Sequence, residues 1–271
     1  MASPNIGFIG AGQMARALAL GFVRANLFSG DSVWASDPVV EARDALREMV
    51  PGAHVGDSNQ EVIETCDTVV LAVKPQQMSP VLNGISSQVD PSKLIISIAA
   101  GVTLEGLARH LSSGARLVRV MPNTPCLVGQ GASGYSMGPH TTVADGELVD
   151  QLLSTVGIAF RLEEPLLDAV TGLSGSGPAF VCEVLEALCA GAVQMGLPAE
   201  IATALANQTL RGTADYLQST GVEAAELKKR VSSPNGTTVA GLAVLQERGL
   251  RQALIAAVEA ATRRSEELGG S

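Results

Sequence analysis

A glycine turn set between a short apolar strand and a helix constrains this chain more than any other feature. Residues 6–9 (IGFI) are uninterruptedly apolar, Gly10-Ala11-Gly12-Gln13-Met14-Ala15 follow at once, and a helix is predicted over residues 14–25. In such a turn the first glycine makes the tight bend and the second lets a pyrophosphate approach the backbone. The small last residue, here Ala15, keeps helix and strand close. The helix N-terminus carries unpaired N–H groups that attract phosphate. A glycine-rich turn of purely structural use is the competing reading. Its position after a strand and at the opening of a helix favours a dinucleotide.

The rest of the first half repeats the alternation. Strands are predicted over residues 32–36, 68–73, 94–98 and 116–121, with a helix over 41–49. Continuous apolar strands separated by helices indicate a parallel sheet covered on both faces. Asp37 closes the second strand 22 residues beyond Ala15, where a carboxylate bonds the ribose 2′-hydroxyl of NAD and repels a 2′-phosphate. Asp37-Pro38 also suits an ordinary turn. Val73-Lys74-Pro75 and Ala99-Ala100-Gly101 fall at carboxyl ends of strands, the edge that faces the ligand crevice in an open α/β sheet. Lys74 there either contacts phosphate or ribose or is simply solvated.

Near Glu163-Glu164-Pro165 the pattern changes, and beyond Asp168 no strand is evident. Residues 179–195, 199–218 and 238–268 carry helical apolar spacing, with Pro198 suited to a first helical turn. The fold class is therefore α/β: an N-terminal Rossmann-type doubly wound parallel sheet over residues 1–164, then an all-helical domain over 165–271. The helix from Ala179 is apolar around most of its circumference, which implies dimerisation. The apolar stretches are broken by Glu183, Glu186, glycine or proline before spanning length, so no membrane helix is expected.

A net charge of −9 excludes nucleic acid and anionic membrane surfaces, which need clustered positive charge. Cys66, Cys126, Cys182 and Cys189 form no CxxC pair, and His54, His110 and His140 are scattered, so no metal site or disulfide framework is expected. Met1-Ala2-Ser3-Pro4-Asn5 leads straight into the first strand, without room for a leader, and a cytoplasmic location is expected.

A second motif lies far from the first. Val231-Ser232-Ser233-Pro234-Asn235-Gly236-Thr237-Thr238 is a run of small polar residues leading into an apolar helix. It suits a helix cap, and it equally suits a small anion such as a substrate carboxylate.

Six segments together resemble the pyrroline-5-carboxylate reductase family: GFIGAGQMARAL (residues 7–18), AVKPQ (72–76), SIAAGVTL (97–104), MPNTP (121–125), TGLSGSGPAF (171–180) and ELKKRVSSPNGTT (226–238). The first three also fit the broader β-hydroxyacid dehydrogenase relatives; the last two are more specific. The resemblance implies reduction of a cyclic imine, 1-pyrroline-5-carboxylate, to L-proline by NADPH or NADH. By the same resemblance Ile9, Gly10, Ala11, Gly12, Gln13, Met14, Asn59, Ala72, Val73, Lys74, Pro75, Ile98, Ala99 and Ala100 line the coenzyme. Ser233, Gly236, Thr237 and Thr238 would hold the substrate's carboxylate and ring nitrogen. It further implies an obligate dimer, each active site shared between the nucleotide domain of one subunit and the helices of its partner. Some members assemble into a pentamer of dimers. Two departures stand out. Relatives often show Pro-Gly-Gly-Thr where this chain has Pro234-Asn235-Gly236-Thr237, and Asn tolerates left-handed backbone angles. Members that prefer NADPH tend to place small hydroxyl residues where Asp37 stands; Ser36 remains available, and coenzyme preference stays open.

A protonated imine carbon is already an electrophile, so orientation and electrostatics carry most of such a reduction. The residues suit Thr238 as the group bonding the ring nitrogen. Ser233 and the N–H groups of Gly236 and Thr237 suit the carboxylate. Glu164 is a further candidate for an acidic group near the iminium, or else a solvated surface carboxylate. The competing enzyme, a β-hydroxyacid dehydrogenase, needs a lysine base on a helix of the second domain. Lysines occur only at 74, 93, 228 and 229, so residues 168–227 contain none. A dinucleotide-sensing dimer without catalysis is the third reading; it would have no use for a hydroxyl-rich anion site.

Overall fold

The computed structural model describes residues 5–269; Met1–Pro4, on which the leader-free reading rests, lie outside the described residues. Packing divides the chain into two units, one from Met1–Ser176 with Glu259–Ser271 and the other from Gly177–Val258. Strands stop earlier than the first unit does, at Arg161.

The first unit alternates as its apolar periodicity requires. In order come β1 (Ile6–Ile9), α1 (Gln13–Arg24), β2 (Val33–Ser36), α2 (Val40–Met49), β3 (His54–Gly56), α3 (Asn59–Thr65) and β4 (Thr68–Leu71). Then follow α4 (Met78–Ile85), β5 (Leu94–Ser97), α5 (Leu104–Ala108), β6 (Arg116–Met121), β7 (Gly131–Met137), α6 (Val143–Ser154), β8 (Gly157–Arg161) and α7 (Leu166–Val170). The sheet order is β3-β2-β1-β4-β5-β6-β7-β8. The chain works outward from β1 to β3, then crosses back to β4 on the other side of β1, which makes β1/β4 the switch point where such sheets bind ligands. Side chains alternate between the two faces. Phe8, Val70, Ile96 and Val118 join the core under α1 and α6. Leu71, Ile95 and Leu117 join a second core with Val62 and Ile63 of α3 and Leu82 and Ile85 of α4. Burial on both faces explains the uninterrupted apolar strands.

Three strands carry no such signal. His54–Gly56 is only three residues long, and β7 (GASGYSM) is built of small and polar residues. β8 lies at the sheet edge, with Ile158 and Phe160 exposed. The sheet also departs from all-parallel at one place, since β6 and β7 pair antiparallel.

Strand register decides the geometry of the crevice. Ile9 pairs with Ser36 on one side and Leu71 on the other, Leu71 pairs with Ser97, and Ser36 with Gly56. The carboxyl ends of these strands are therefore level. One further rung follows: Gly10 N–H donates to the Ser36 carbonyl (2.7 Å), Ala72 N–H to Ile9 (2.8 Å) and Ile98 N–H to Leu71 (3.1 Å). Gly10, Asp37, Ala72 and Ile98 leave the sheet side by side.

The second unit is helical: α8 (Gly177–Gln194), α9 (Ala199–Thr220), α10 (Ala224–Arg230), α11 (Thr237–Glu247) and the start of α12 (Leu250–Gly269). The single long helix expected over residues 238–268 is in fact α11 and α12, separated at Gly249, whose φ of +71° ends α11. Ala202 is its one buried hydrophobic residue among those described, while Val181, Leu188, Ile201 and Leu205 are exposed. Glu183 and Glu186, expected to break the apolar stretch before spanning length, do not shorten it that far. The stretch Leu166–Gln194 is, by length and composition alone, long and apolar enough to cross a membrane.

Candidate functional site

The nucleotide turn has the geometry that its residues predict. Gly10 has φ +100°, and a Cβ there would stand 2.8 Å from the Ala72 carbonyl oxygen, so only glycine lets β1 and β4 end this close together. Gly12 is different. It is the N-cap of α1, and a Cβ on it would meet nothing within 4 Å. The protein leaves that space open although packing does not demand it, and the space adjoins the exposed Gln13 that opens α1, a helix start with no side-chain cap and no acidic residue. Unpaired N–H groups beside an open cradle fit a pyrophosphate. Ala11 and Ala15 are fully buried against the sheet, which holds α1 at close range.

Around this turn stand the other residues expected there. Asp37 accepts the Ala11 N–H on Oδ2 (2.8 Å) and the Val39 N–H on Oδ1 (2.9 Å). Ser36 is not available in the sense expected: it is 1% exposed and donates its hydroxyl to Asn59 Oδ1 at 2.7 Å. Asn59 thus braces the end of β2 from the first turn of α3. Val73 is half-buried, and Lys74 and Pro75 are exposed beyond the end of β4. Ile98, Ala99 and Ala100 continue β5 at the same level.

In the helical unit Gly236, and no hydroxyl side chain, is the N-cap of α11, and no side chain caps this helix. Asn235 has φ +59°, so the Asn that replaces the second residue of Pro-Gly-Gly-Thr does adopt the left-handed angles that the turn requires. Thr203, Thr209, Thr213, Thr220 and Ser232 of the same unit each donate to a carbonyl four residues back. Thr237 and Thr238 open a helix and have no helical carbonyl four residues back. Among the described residues, no side-chain hydrogen bond engages them or Ser233. The N–H of Gly236 is taken by the Ser233 carbonyl (2.9 Å), which corrects its expected use on a carboxylate and leaves those of Thr237 and Thr238. Gly236 contributes instead by lacking a Cβ, which would stand 2.5 Å from Ser233 Oγ.

Glu164 is not a solvated carboxylate. Its Oε1 accepts the Leu104 N–H (2.7 Å) and Arg119 Nη1 (3.3 Å). Arg119, 3% exposed, also reaches Asp168 Oδ1 at 3.1 Å, and the Ser265 hydroxyl donates to the same oxygen at 2.7 Å. This cluster was not anticipated, although Arg119, set between Val118 and Val120 in the middle of an apolar strand, is its signal, because a buried cation needs a partner. Asn123 was missed as well: its Oδ1 accepts the Ala132 N–H and its Nδ2 donates to the Ser174 carbonyl. Ser174 lies in a π-helical turn, Thr171–Gly175, inside the TGLSGSGPAF run. Burial pushes the Cys66 thiol up to about 12 and raises that of Cys126, so both stay protonated. Among the described residues no group of His, Cys, Asp and Glu could hold a metal ion.

A glycine turn with a bare helix start at the switch point of a doubly wound sheet, followed by a helical unit with almost no core of its own, fits a class: dinucleotide-dependent oxidoreductases with an appended helical domain. Comparison with known proteins narrows it. Residues 164–268 match the family described as pyrroline-5-carboxylate reductase dimerisation, and residues 5–101 match NADP oxidoreductase coenzyme F420-dependent. The chain is 42% identical over 269 residues to pyrroline-5-carboxylate reductase of Methanosarcina acetivorans, covering 99% of each chain. It is 42% identical to human pyrroline-5-carboxylate reductase 2, over 97% of this chain and 83% of that one. The crystal structure of Plasmodium falciparum pyrroline carboxylate reductase with NADP bound superposes with a TM-score of 0.90 at 33% identity, covering 99% of both chains. The chain belongs to the pyrroline-5-carboxylate reductase family.

Proposed function

We propose that this protein reduces 1-pyrroline-5-carboxylate to L-proline with NADPH or NADH, the closing step of proline formation. The observation that carries the reading is the entrance to α11, where the hydroxyls of Ser233, Thr237 and Thr238 and the first-turn N–H groups have no partner among the described residues. The bound coenzyme supplies a hydride. Ile9, Gly10, Ala11, Gly12, Gln13 and Met14 would cradle its pyrophosphate, with Asp37 at its ribose. Ser36 and Asn59 support that corner, and Ala72, Val73, Lys74, Pro75, Ile98, Ala99 and Ala100 line the remainder. Thr237, Thr238 and Ser233 hold the substrate carboxylate, and the Thr238 hydroxyl bonds the ring nitrogen. One hydride to the imine carbon and one proton on nitrogen complete the amine. A β-hydroxyacid needs a base, and residues 168–227 contain no lysine to serve as one. Glu164 enters through Arg119 and the N–H of Leu104, which it holds, and adds negative charge near the junction of the two sequence domains at 164/165.

The exposed apolar faces of α8 and α9 support a homo-oligomer in which a second copy, not lipid, covers them. Within it each active site takes the sheet unit of one subunit and the α11 entrance of another. Further assembly as a pentamer of dimers and a cytoplasmic location are the finer parts of this proposal; light scattering of the purified protein tests the first. The activity is tested by mixing the imine with reduced coenzyme and identifying the product. Coenzyme oxidation with stoichiometric proline is expected, and no oxidation would refute the reading.

A further inference from the structure

We infer that Asp37 makes this enzyme prefer NADH to NADPH. The inference rests on the coenzyme reading of the Gly10–Ala15 turn. Asp37 is the first residue beyond β2, whose last residue pairs with the last residue of β1. Its carboxylate is fixed by two main-chain donors, Ala11 N–H at 2.8 Å and Val39 N–H at 2.9 Å. Ala11 is the middle residue of the Gly-x-Gly turn, so the carboxylate is anchored to the phosphate cradle itself. Each oxygen accepts one of these bonds and retains capacity for another, which matches the donors that a free ribose 2′,3′-diol presents. A 2′-phosphate placed there would set a multiply charged anion against a fixed carboxylate.

The groups on β2 and α2 that could serve the phosphate are engaged. Ser36 is 1% exposed and commits its hydroxyl to Asn59 Oδ1 at 2.7 Å. Arg43 donates to the main-chain carbonyl of Asp37 at 2.7 Å, and Arg47 pairs with Asp44 at 2.6 Å. Arg43 is near enough to serve a 2′-phosphate, but it shares that corner with the carboxylate. Similarity alone points the other way, since one relative was solved with NADP and the N-terminal family is described by NADP.

The test measures binding without imine. Trp34, the only tryptophan, lies on β2 three residues before Asp37, so its emission reports either reduced coenzyme. We expect the Kd for NADH to be at least about tenfold below that for NADPH, a difference of about 1.4 kcal/mol. Asp37→Ser should bring the two within about threefold or reverse them, and Arg43→Ala in that background should undo the gain for NADPH. Asp37→Asn keeps the shape and removes the charge, so it should move the ratio the same way. It carries the test if the serine variant does not fold, as judged by circular dichroism. NADPH binding as tightly as NADH in the unaltered protein, or a ratio unmoved by both substitutions, would overturn the inference. Selective NADH binding without imine reduction would refute the proposed reaction and leave this inference standing.

Discussion

The hydroxyl of Ser265 donates to Asp168 Oδ1 at 2.7 Å across 97 residues of sequence, tying the end of α12 to α7 within the first unit. The same oxygen receives Arg119 from β6 at 3.1 Å, and Arg119 in turn holds Glu164. Removing the arginine leaves two carboxylates facing a buried gap. Arg119→Met should therefore cost about 3–5 kcal/mol of stability, and Ser265→Ala about 1–2 kcal/mol. Urea denaturation of the purified variants measures both; an Arg119→Met midpoint equal to that of the parent would contradict this.

Gly10 and Gly12 should separate folding from coenzyme binding. Gly10→Ala forces a Cβ to 2.8 Å from the Ala72 carbonyl at φ +100°, so it should lower stability by about 1–3 kcal/mol. Gly12→Ala meets no protein atom within 4 Å and should leave the melting temperature unchanged. It nevertheless fills the cradle, so coenzyme affinity should fall at least about tenfold, roughly one lost hydrogen bond to a charged group. Thermal melts and Trp34 titrations of the pair decide it; equal coenzyme affinity in Gly12→Ala would remove the cradle from the account.

The contrast between these two glycines also shows how far the sequence could be read. β1, the turn and α1 were legible because each residue there answers to a local requirement: an apolar strand buried on both faces, a bend and a bare helix start. β7 was not, because GASGYSM has no apolar run and is held by pairing with β6 and β8 rather than by its own pattern. The break at Gly249 was hidden because glycine interrupts helical spacing no more than alanine does. At the candidate site the polar run at α11 was visible. That Gly236 rather than a serine caps the helix, and that Ser36 is sealed by Asn59, depends on partners 3 and 23 residues away whose geometry the sequence does not print.

Thr238→Ala should lower kcat/KM for the imine at least about tenfold while leaving coenzyme Kd and melting temperature unchanged. Thr238→Ser, which keeps the hydroxyl, should recover most of the loss. Gly236→Ala should act chiefly on KM, because its Cβ would press on the Ser233 hydroxyl and carbonyl that shape the turn. Steady-state kinetics of the three variants check this, and an unchanged kcat/KM in Thr238→Ala would strip that residue of its role.

Tyr135 sets an alkaline limit on stability. Burial, and then its hydrogen bond to Asp150 at 2.6 Å, push its phenol from the usual 10.0 up to about 12. A folded-state value above the unfolded one stabilises the fold fully below pH about 10, and that contribution is lost as pH rises from 10 toward 12. Cys66, raised from 9.0 to about 12 by burial, adds its own loss beginning near pH 9. In Tyr135→Phe the decline between pH 10 and 12 should flatten, leaving the cysteine portion. Urea midpoints measured across that range test it, and superimposable curves for the two proteins would contradict it.

The central claim is that a hydride passes from the nicotinamide to the carbon of a cyclic imine. Its most direct measurement uses coenzyme deuterated at the transferring position together with 1-pyrroline-5-carboxylate, with the product analysed by mass spectrometry and NMR. The account predicts L-proline carrying one deuterium, located on the former imine carbon. Absence of labelled proline, with turnover of a β-hydroxyacid by the same preparation, would contradict it.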